Sequence, residues 1–166
     1  MVGNNVYVQV FESTRGLKVG APAEFTGHML EVQLGPGMLS KNYDGLQNDL
    51  DKMEGVFLKR GQYTEPLDNE REWDFTPIAK VGDEVKGSAW LGEVIENSQK
   101  LKIMAPFQME GSAKVKSIVP AGKYKIHDVM AVLEKEDGTE IKVDMVQHWP
   151  VKVAITNYKE KPSHIK

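Results

Sequence analysis

Two glycine-containing stretches could, by residue type, bind phosphate. One is Gly35-Pro-Gly37, within the sequence EVQLGPGML of residues 31–39, and the other is Gly122-Lys123. A P-loop reads Gly-x-x-x-x-Gly-Lys-Ser/Thr, because its backbone N–H groups, lysine and hydroxyl hold phosphates and magnesium. The second stretch fails twice, since Ser117 stands in place of the first glycine and Tyr124 in place of the hydroxyl residue. The first stretch lies between apolar residues and opens no helix that could offer N–H groups to an anion, so it is predicted to be a turn.

Metal and nucleophile chemistry have little support. The histidines are scattered, and none has a partner at a metal-ligand spacing: His28, His127, His148 and His164. The absence of cysteine removes disulfides, thiolate catalysis and cysteine-based zinc sites together. The sequence therefore predicts no catalytic, cofactor-binding or metal-ligating residue in this segment.

Composition is typical of a globular chain and disfavours a nucleic-acid or membrane ligand. The 166 residues are 40% hydrophobic and 27% charged, with a net charge of −3. Tyr7, Phe11 and Phe25 could form a stacking face for single-stranded nucleic acid, but lysines do not interleave with them. No apolar run approaches membrane-spanning length. We therefore expect neither nucleic acid nor direct membrane contact.

A lysine-carrier function is an alternative. The stretches Lys80–Leu91, Lys102–Pro106 and Gly111–Val115 resemble a biotinyl or lipoyl carrier domain, a small two-layer β fold. Such carriers present a lysine, usually flanked by methionines, at an exposed hairpin tip. Here the tip falls near Glu96–Gln99, and the nearby Lys100 is followed by leucine. The resemblance supports a barrel-sandwich fold and argues against the prosthetic group.

The first third of the chain predicts strands and one short helix. Apolar alternation predicts a strand over Asn5–Phe11, and a second strand is predicted over Phe25–Leu34. Leu39–Met53 has apolar residues at helical spacing, with Asp44 as a candidate cap and Gln47 three residues later.

The middle of the chain predicts β structure. Residues 65–73 are polar and loop-like, with charges expected to be solvated: Asp68, Glu70, Arg71, Glu72 and Asp74. From Trp73 to Met145 short apolar alternations are separated by Gly, Asp and Pro, and Asp137-Gly138 is predicted to form a type I′ hairpin turn. A weak internal repeat relates two turns and the strands that follow them, which predicts two similar halves folded over one core: Val81–Val85 with Leu91–Ile95, and Ala121–Ile126 with Val129–Leu133. After Trp149-Pro150 the pattern fades into a linker or tail.

Several stretches, read together, resemble the catalytic A subunit of the V-type (V/A-type) rotary ATPase. They are Val6–Leu17, Thr26–Leu39, Tyr43–Gln47, Phe57–Gly61, Trp73–Pro77, Lys80–Val85 and Trp149–Val151. They occur in order along nearly the whole chain, which makes the resemblance specific. Many members of that family have Arg-Pro after the glutamine of the Tyr-Asp-Gly-x-Gln stretch, whereas this chain has Asn48-Asp49.

The resemblance implies a domain order and a mainly β fold. Residues 1–27 would be the remnant of an N-terminal β-barrel, and residues 28–66 a segment connecting toward the nucleotide-binding domain. Residues 67–150 would form the inserted non-homologous, or bulge, domain, a β-sandwich of the barrel-sandwich type. Residues 151–166 would return toward the nucleotide-binding domain, which this segment lacks, and a strand at the first residues suggests a fragment.

The resemblance also implies a function. The parent subunit would bind Mg-ATP and couple ATP hydrolysis or synthesis to proton or sodium transport, in a soluble cytoplasmic head peripheral to the membrane. Its partners would be other subunits of the ATPase, the B subunit and the peripheral stator. The segment itself would be a structural and interaction module without a P-loop.

Overall fold

The chain folds into two four-stranded antiparallel sheets joined to a two-stranded ribbon. The structure, a computed structural model, describes residues 7–10, 13–25, 27–53 and 63–156. In chain order the strands are Glu31–Leu34 (β1), Glu72–Pro77 (β2), Glu84–Lys86 (β3), Trp90–Glu96 (β4), Gln99–Met104 (β5), Ser112–Ile118 (β6), Gly122–Lys125 (β7), Ala131–Lys135 (β8), Glu140–Val143 (β9) and Gln147–Pro150 (β10). A single-turn 3₁₀ helix, Leu50–Lys52, is the one helix among the described residues. The predicted mainly β, barrel-sandwich fold is confirmed.

The strand order reveals an internal two-fold relationship. Sheet I has the order β5-β4-β2-β7, and sheet II has the order β9-β8-β6-β3. Exchanging β2 with β6, β3 with β7, β4 with β8 and β5 with β9 converts one order into the other. Each half therefore contributes three strands to one sheet and sends its second strand, β3 or β7, to the edge of the other. This exchange is the structural form of the internal repeat that the sequence predicted.

The interior comprises two hydrophobic clusters, where the sequence predicted one core. The first cluster includes Trp73 and Phe75 of β2 and Val94 of β4, all at most 3% exposed. The second includes Val115 of β6 and Leu133 of β8. Ile118 packs against both clusters and joins them. Alternation along β2 buries its aromatic residues and exposes its charged ones, because successive side chains of a strand point to opposite faces.

The ribbon brings together two parts of the chain that are distant in sequence. β1 pairs with β10 in antiparallel register, with Val32 opposite Trp149 and Leu34 opposite Gln147. The chain thus leaves the ribbon after β1, forms the two four-stranded sheets and returns to the ribbon at β10. The polar loop predicted over residues 65–73 is confirmed for residues 65–71, whose charged side chains are exposed, whereas Glu72 and Trp73 already belong to β2. Leu67 of this loop is buried in the first cluster.

Three predictions for the first third of the chain are wrong in detail. Residues 7–10 are exposed and form no strand; the ends of that predicted strand lie outside the described residues. The strand predicted over residues 25–34 is limited to β1, and Thr26 lies outside the described residues. The helix predicted over residues 39–53 is limited to its 3₁₀ turn. A strand requires a neighbouring strand to pair its backbone groups, and among the described residues of this region β1 alone has one.

The Asp137-Gly138 hairpin forms, but its turn type differs from the prediction. The Gly138 N–H donates to the Lys135 carbonyl, and the Lys135 N–H donates to the Thr139 carbonyl. Gly138 has a φ of +82°, whereas Asp137 has no positive φ. This is a three-residue loop with glycine in the left-handed position, the second most common class of hairpin connection.

Candidate functional site

The Gly-Pro-Gly loop cradles a carboxylate from the sandwich. Glu96, at the end of β4, accepts hydrogen bonds at Oε1 from the backbone N–H of Gly37 (3.0 Å) and of Leu39 (3.1 Å). The neighbouring Asn97 donates from Nδ2 to the Ser40 hydroxyl (2.9 Å). We call residues 35–40 together with Glu96 and Asn97 the GPG junction. It fixes the loop after β1 to the tip of the β4–β5 hairpin.

Local backbone geometry explains why both sides of the junction converge. Gly37 has a φ of +104°, a conformation that glycine adopts without steric cost. On the other side, Asn97 (φ +47°) and Ser98 (φ +65°) form the two-residue loop between Glu96 and Gln99. Positive φ at both positions defines a type I′ turn, whose twist matches that of the flanking strands.

The junction is dry on the side of the carboxylate. Glu96 is 2% exposed, and its Oε2 atom is buried with no hydrogen-bond partner among the described residues. A buried carboxylate is costly unless it is hydrogen-bonded, so both N–H groups of the loop are needed to hold it. The two N–H groups that this loop could offer to a phosphate are thus occupied by a carboxylate of the same chain.

Neither candidate phosphate stretch offers a helix N-terminus. Gly37 lies in a turn, as predicted, and Gly122-Lys123 forms the start of β7. There, Lys123 stands opposite Asp74 and Gly122 opposite Phe75 in the ladder with β2. Backbone groups committed to a sheet ladder cannot converge on a phosphate as those of a P-loop do.

A partly buried polar network follows the junction in the chain, at residues 44–48. The Asp44 carboxylate accepts hydrogen bonds from the N–H of Leu46 (2.9 Å), the N–H of Asn48 (2.8 Å) and the Asn48 side chain (2.8 Å). Burial alone would raise the pKa of Asp44, but the hydrogen bonds from Asn48 and Leu46 outweigh it and lower the pKa below its ordinary value. Asn48 also accepts from the Thr64 N–H (3.0 Å). Asp44 therefore closes a tight loop and does not cap a helix.

Gln47 connects this network to β1. Its side-chain carbonyl accepts from the Gln33 N–H (2.7 Å), and its amide donates to the Gln33 carbonyl (2.7 Å). The Gln47 side chain thus acts as a further strand partner for β1. Gln47 has a φ of +62°, which is incompatible with the predicted helix and explains why that helix does not form.

Asp49, one of the two residues that depart from the family sequence, is fully buried and charged. Its carboxylate lies 3.0 Å from the Lys41 ammonium and 3.8 Å from that of Lys52, and it accepts from the Asp51 N–H (3.1 Å). Burial would raise its pKa, but the bonds from Lys41 and Asp51 and the charge of Lys52 lower it. The bond to Asp49 correspondingly raises the pKa of Lys41. The aspartate that differs from the family sequence is therefore stabilised by an ion pair with Lys41, within the same turn region.

The histidines form no metal centre among the described residues. His28 Nδ1 and His148 Nδ1 lie 3.7 and 3.9 Å from the same Glu31 oxygen. His127 Nδ1 lies 3.1 Å from Asp144, and His164 is outside the described residues. Within the described ranges no group of three or more potential ligands could hold a metal ion, and no helix could span a membrane.

The hairpin tip does not resemble a carrier site. The tip residues are Asn97 and Ser98, and Asn97 is bonded to the GPG junction. Lys100, the nearest lysine, is engaged with Glu93 at 2.8 Å. A swinging prosthetic group needs an exposed lysine at the tip, and here the tip is docked.

Sequence reasoning missed Glu96 as the central residue of this site. The signal lay in the alternation of β4, where Val94 and Glu96 are buried and Ile95 between them is exposed. An acidic residue in the apolar register of a strand indicates a specific buried partner. The partner itself is 57 to 59 residues away in sequence, so periodicity alone could not identify it.

Comparison with known proteins matches both parts of the chain to one family. Residues 64–152 match the family model described as ATPsynthase alpha/beta subunit barrel-sandwich domain. Residues 1–27 match the ATP synthase alpha/beta family, beta-barrel domain.

Curated relatives agree with the family models. The V-type ATP synthase alpha chain of Borrelia garinii subsp. bavariensis is 47% identical over 162 residues, which cover 96% of this chain. That of Borrelia hermsii is 49% identical over 159 residues, or 94% of this chain. The chain spans 28% of the length of each relative. The resemblance drawn from the sequence motifs is confirmed, and the chain belongs to the family of ATP synthase alpha/beta subunits.

Proposed function

We propose that this chain is a non-catalytic segment of the catalytic A subunit of a V-type rotary ATPase, and that it acts as a structural and interaction module. The parent subunit binds Mg-ATP and couples ATP hydrolysis or synthesis to proton or sodium transport. Its proposed place is the soluble head, peripheral to the membrane, with the B subunit and the peripheral stator as partners. The chain itself contacts neither nucleic acid nor the bilayer.

The filled GPG junction carries the proposal. The donors that could receive a phosphate bind Glu96 instead, at 3.0 and 3.1 Å. The second stretch, Gly122-Lys123, is committed to β7. The junction also gives this segment a mechanical task, since it clamps the sandwich to the loop that follows β1.

Isothermal titration of the chain with Mg-ATP tests the proposal. We expect no saturable heat up to millimolar nucleotide, while a full-length V-type alpha chain titrated in parallel shows saturable binding. Saturable binding to the 166-residue chain with a Kd below about 1 mM, which corresponds to about 4 kcal/mol of real contacts, would refute the absence of a nucleotide site.

A further inference from the structure

The outer edge of β5 is open along most of its length. β5 is the terminal strand of sheet I, and no strand among the described residues pairs with its outer side. Glu96 and Gln99 flank the two-residue turn and so exchange hydrogen bonds, as do Val94 and Leu101 further along. The alternation then directs the N–H and C=O groups of Lys100 and Lys102 away from β4.

The far end of this edge is already capped by a side chain. Gln147 of β10 donates from Nε2 to the Met104 carbonyl (3.0 Å) and accepts at Oε1 from the Phe107 N–H (3.2 Å). This amide supplies to the last residue of β5 a bond that a neighbouring strand would supply, and it also holds the loop that follows. The edge that remains open therefore runs from the hairpin tip to Met104.

An apolar groove of about 380 Å³ runs along the same edge. One wall comes from the ribbon and the GPG loop, and the other from β5 and the residues below it. Its apolar lining includes Leu34, Met38, Leu39, Leu101, Ile103 and Phe107. A methionine in such a wall adapts to different side chains, and the partly buried Leu101 and Met38 border the first hydrophobic cluster.

The two faces of β5 differ in charge. Leu101 and Ile103 point inward, toward the groove and the core, whereas Lys100 and Lys102 point to the opposite, outer face. Both lysines are paired with the single carboxylate of Glu93. Two ammonium groups on one carboxylate leave an excess positive charge beside the open edge.

We propose that the outer edge of β5 binds an extended segment of a partner protein in which acidic and apolar residues alternate. The main chain of the segment would bond to Lys100 and Lys102 and extend sheet I by one strand. Its apolar side chains would enter the groove over Leu101 and Ile103, and its acidic ones would lie beside the two lysines as cross-strand pairs.

The lysines select the partner. Lysine on an edge strand discourages pairing with an identical edge, because like charges would meet. The same lysines favour a strand with carboxylates opposite them. The edge is thereby protected against a second copy of this chain and open to an acidic strand.

This inference rests on the proposed role of the chain as an interaction module and specifies the surface. We would titrate the 166-residue chain with two acetylated and amidated probe peptides, Glu-Val-Glu-Val-Glu and Lys-Val-Lys-Val-Lys, and follow backbone amide shifts and hydrogen exchange by NMR. We expect the acidic peptide alone to bind, with weaker binding at higher salt and slowed exchange at the amides of Lys100 and Lys102.

Matched charge reversals separate this surface from general attraction. Lys100→Glu should weaken binding of the acidic peptide about fivefold, since a cross-strand attraction becomes a repulsion. Lys123→Glu carries the same change on β7, the opposite edge of sheet I, and should leave the affinity unchanged. Far-UV circular dichroism and the melting temperature verify that both variants fold.

The idea is wrong if both peptides bind equally, if both variants lose equal affinity, if neither lysine amide gains protection, or if the acidic peptide does not bind up to millimolar concentration. Failure of peptide binding leaves the ATP titration untouched and would remove this inference alone. Saturable ATP binding would instead remove the proposed function.

Discussion

Glu96 is the residue whose removal most directly tests the GPG junction. Glu96→Gln keeps the shape of the side chain and one carbonyl oxygen, but it removes the negative charge that strengthens the bonds to Gly37 and Leu39. A hydrogen bond to a charged group contributes about 1.5–3 kcal/mol, against about 0.5–1.5 for a neutral one. Weakening two such bonds costs about 2 kcal/mol, and relief of the buried charge returns part of it. We expect a net loss of about 1 kcal/mol.

Glu96→Ala removes the acceptor altogether. Two backbone N–H groups then lose their partner, at a cost of about 1–3 kcal/mol each when they stay dry. Because Leu39 is 44% exposed, water can reach part of the loop, and we expect about 3 kcal/mol in total. With an m value of about 2 kcal/mol/M in urea, the midpoints should fall by about 0.5 M for Glu96→Gln and about 1.5 M for Glu96→Ala.

The assay is urea unfolding at pH 7, combined with amide hydrogen exchange at Gly37 and Leu39. Glu93→Gln is the matched control, since it is the same change on the same strand at a carboxylate that faces the surface lysines. It should lower the midpoint less than Glu96→Gln and leave exchange at Gly37 unchanged. Equal midpoints for Glu96→Gln and the parent chain, or unchanged exchange at both loop amides in Glu96→Ala, would show that the clamp has no energetic role.

Two further predictions concern packing and pH. Gly92→Ala should lower stability by about 1–3 kcal/mol, as overpacking does, because a Cβ there would lie 2.1 Å from the Phe75 ring. The control in the same urea assay is Gly45→Ala, whose Cβ would have nothing within 4 Å. Equal stability of the two variants would contradict the packing argument. Asp49 has a lowered pKa in the folded state, so its contribution is complete above the unfolded-state pKa of about 3.9 and is lost as the pH falls through the lower folded-state value. Asp49→Asn should therefore be less stable than the parent at pH 7, with a difference that narrows below about pH 4, whereas a pH-independent difference would show that the ion pair with Lys41 contributes nothing.

The strands of the sandwich were predictable because their signals are local. Alternation in β2 and β4 and the Asp-Gly turn between β8 and β9 each depend on a few adjacent residues. The internal repeat was also visible, since related turns precede related strands. What it could not show is that β3 and β7 change sheets, because this depends on pairing between residues far apart in sequence.

The first third of the chain was harder to predict because its structure is held by side chains. Leu46, Leu50 and Met53 have helical spacing, yet Asp44, Gln47 and Asn48 bind backbone groups and stabilise turns instead. Asp and Asn side chains commonly compete with helix formation in this way. Their partners, Gln33 and Thr64, lie 14 and 16 residues away, beyond the reach of a periodicity argument.

The two-fold relationship between the halves shows that the GPG junction forms at only one of two equivalent hairpins. Symmetry makes the β4–β5 and β8–β9 hairpins equivalent, but their tips differ. The first tip has a type I′ turn with a buried glutamate before it, and it is bonded to residues 37–40. The second has a three-residue loop of exposed residues, Glu136–Gly138. A fold that needed only stability would not require this difference, because both hairpins pack their strands in the same manner. The asymmetry therefore reflects attachment: the β4–β5 hairpin is bonded to the chain that enters the sandwich, whereas the tip of the β8–β9 hairpin is exposed.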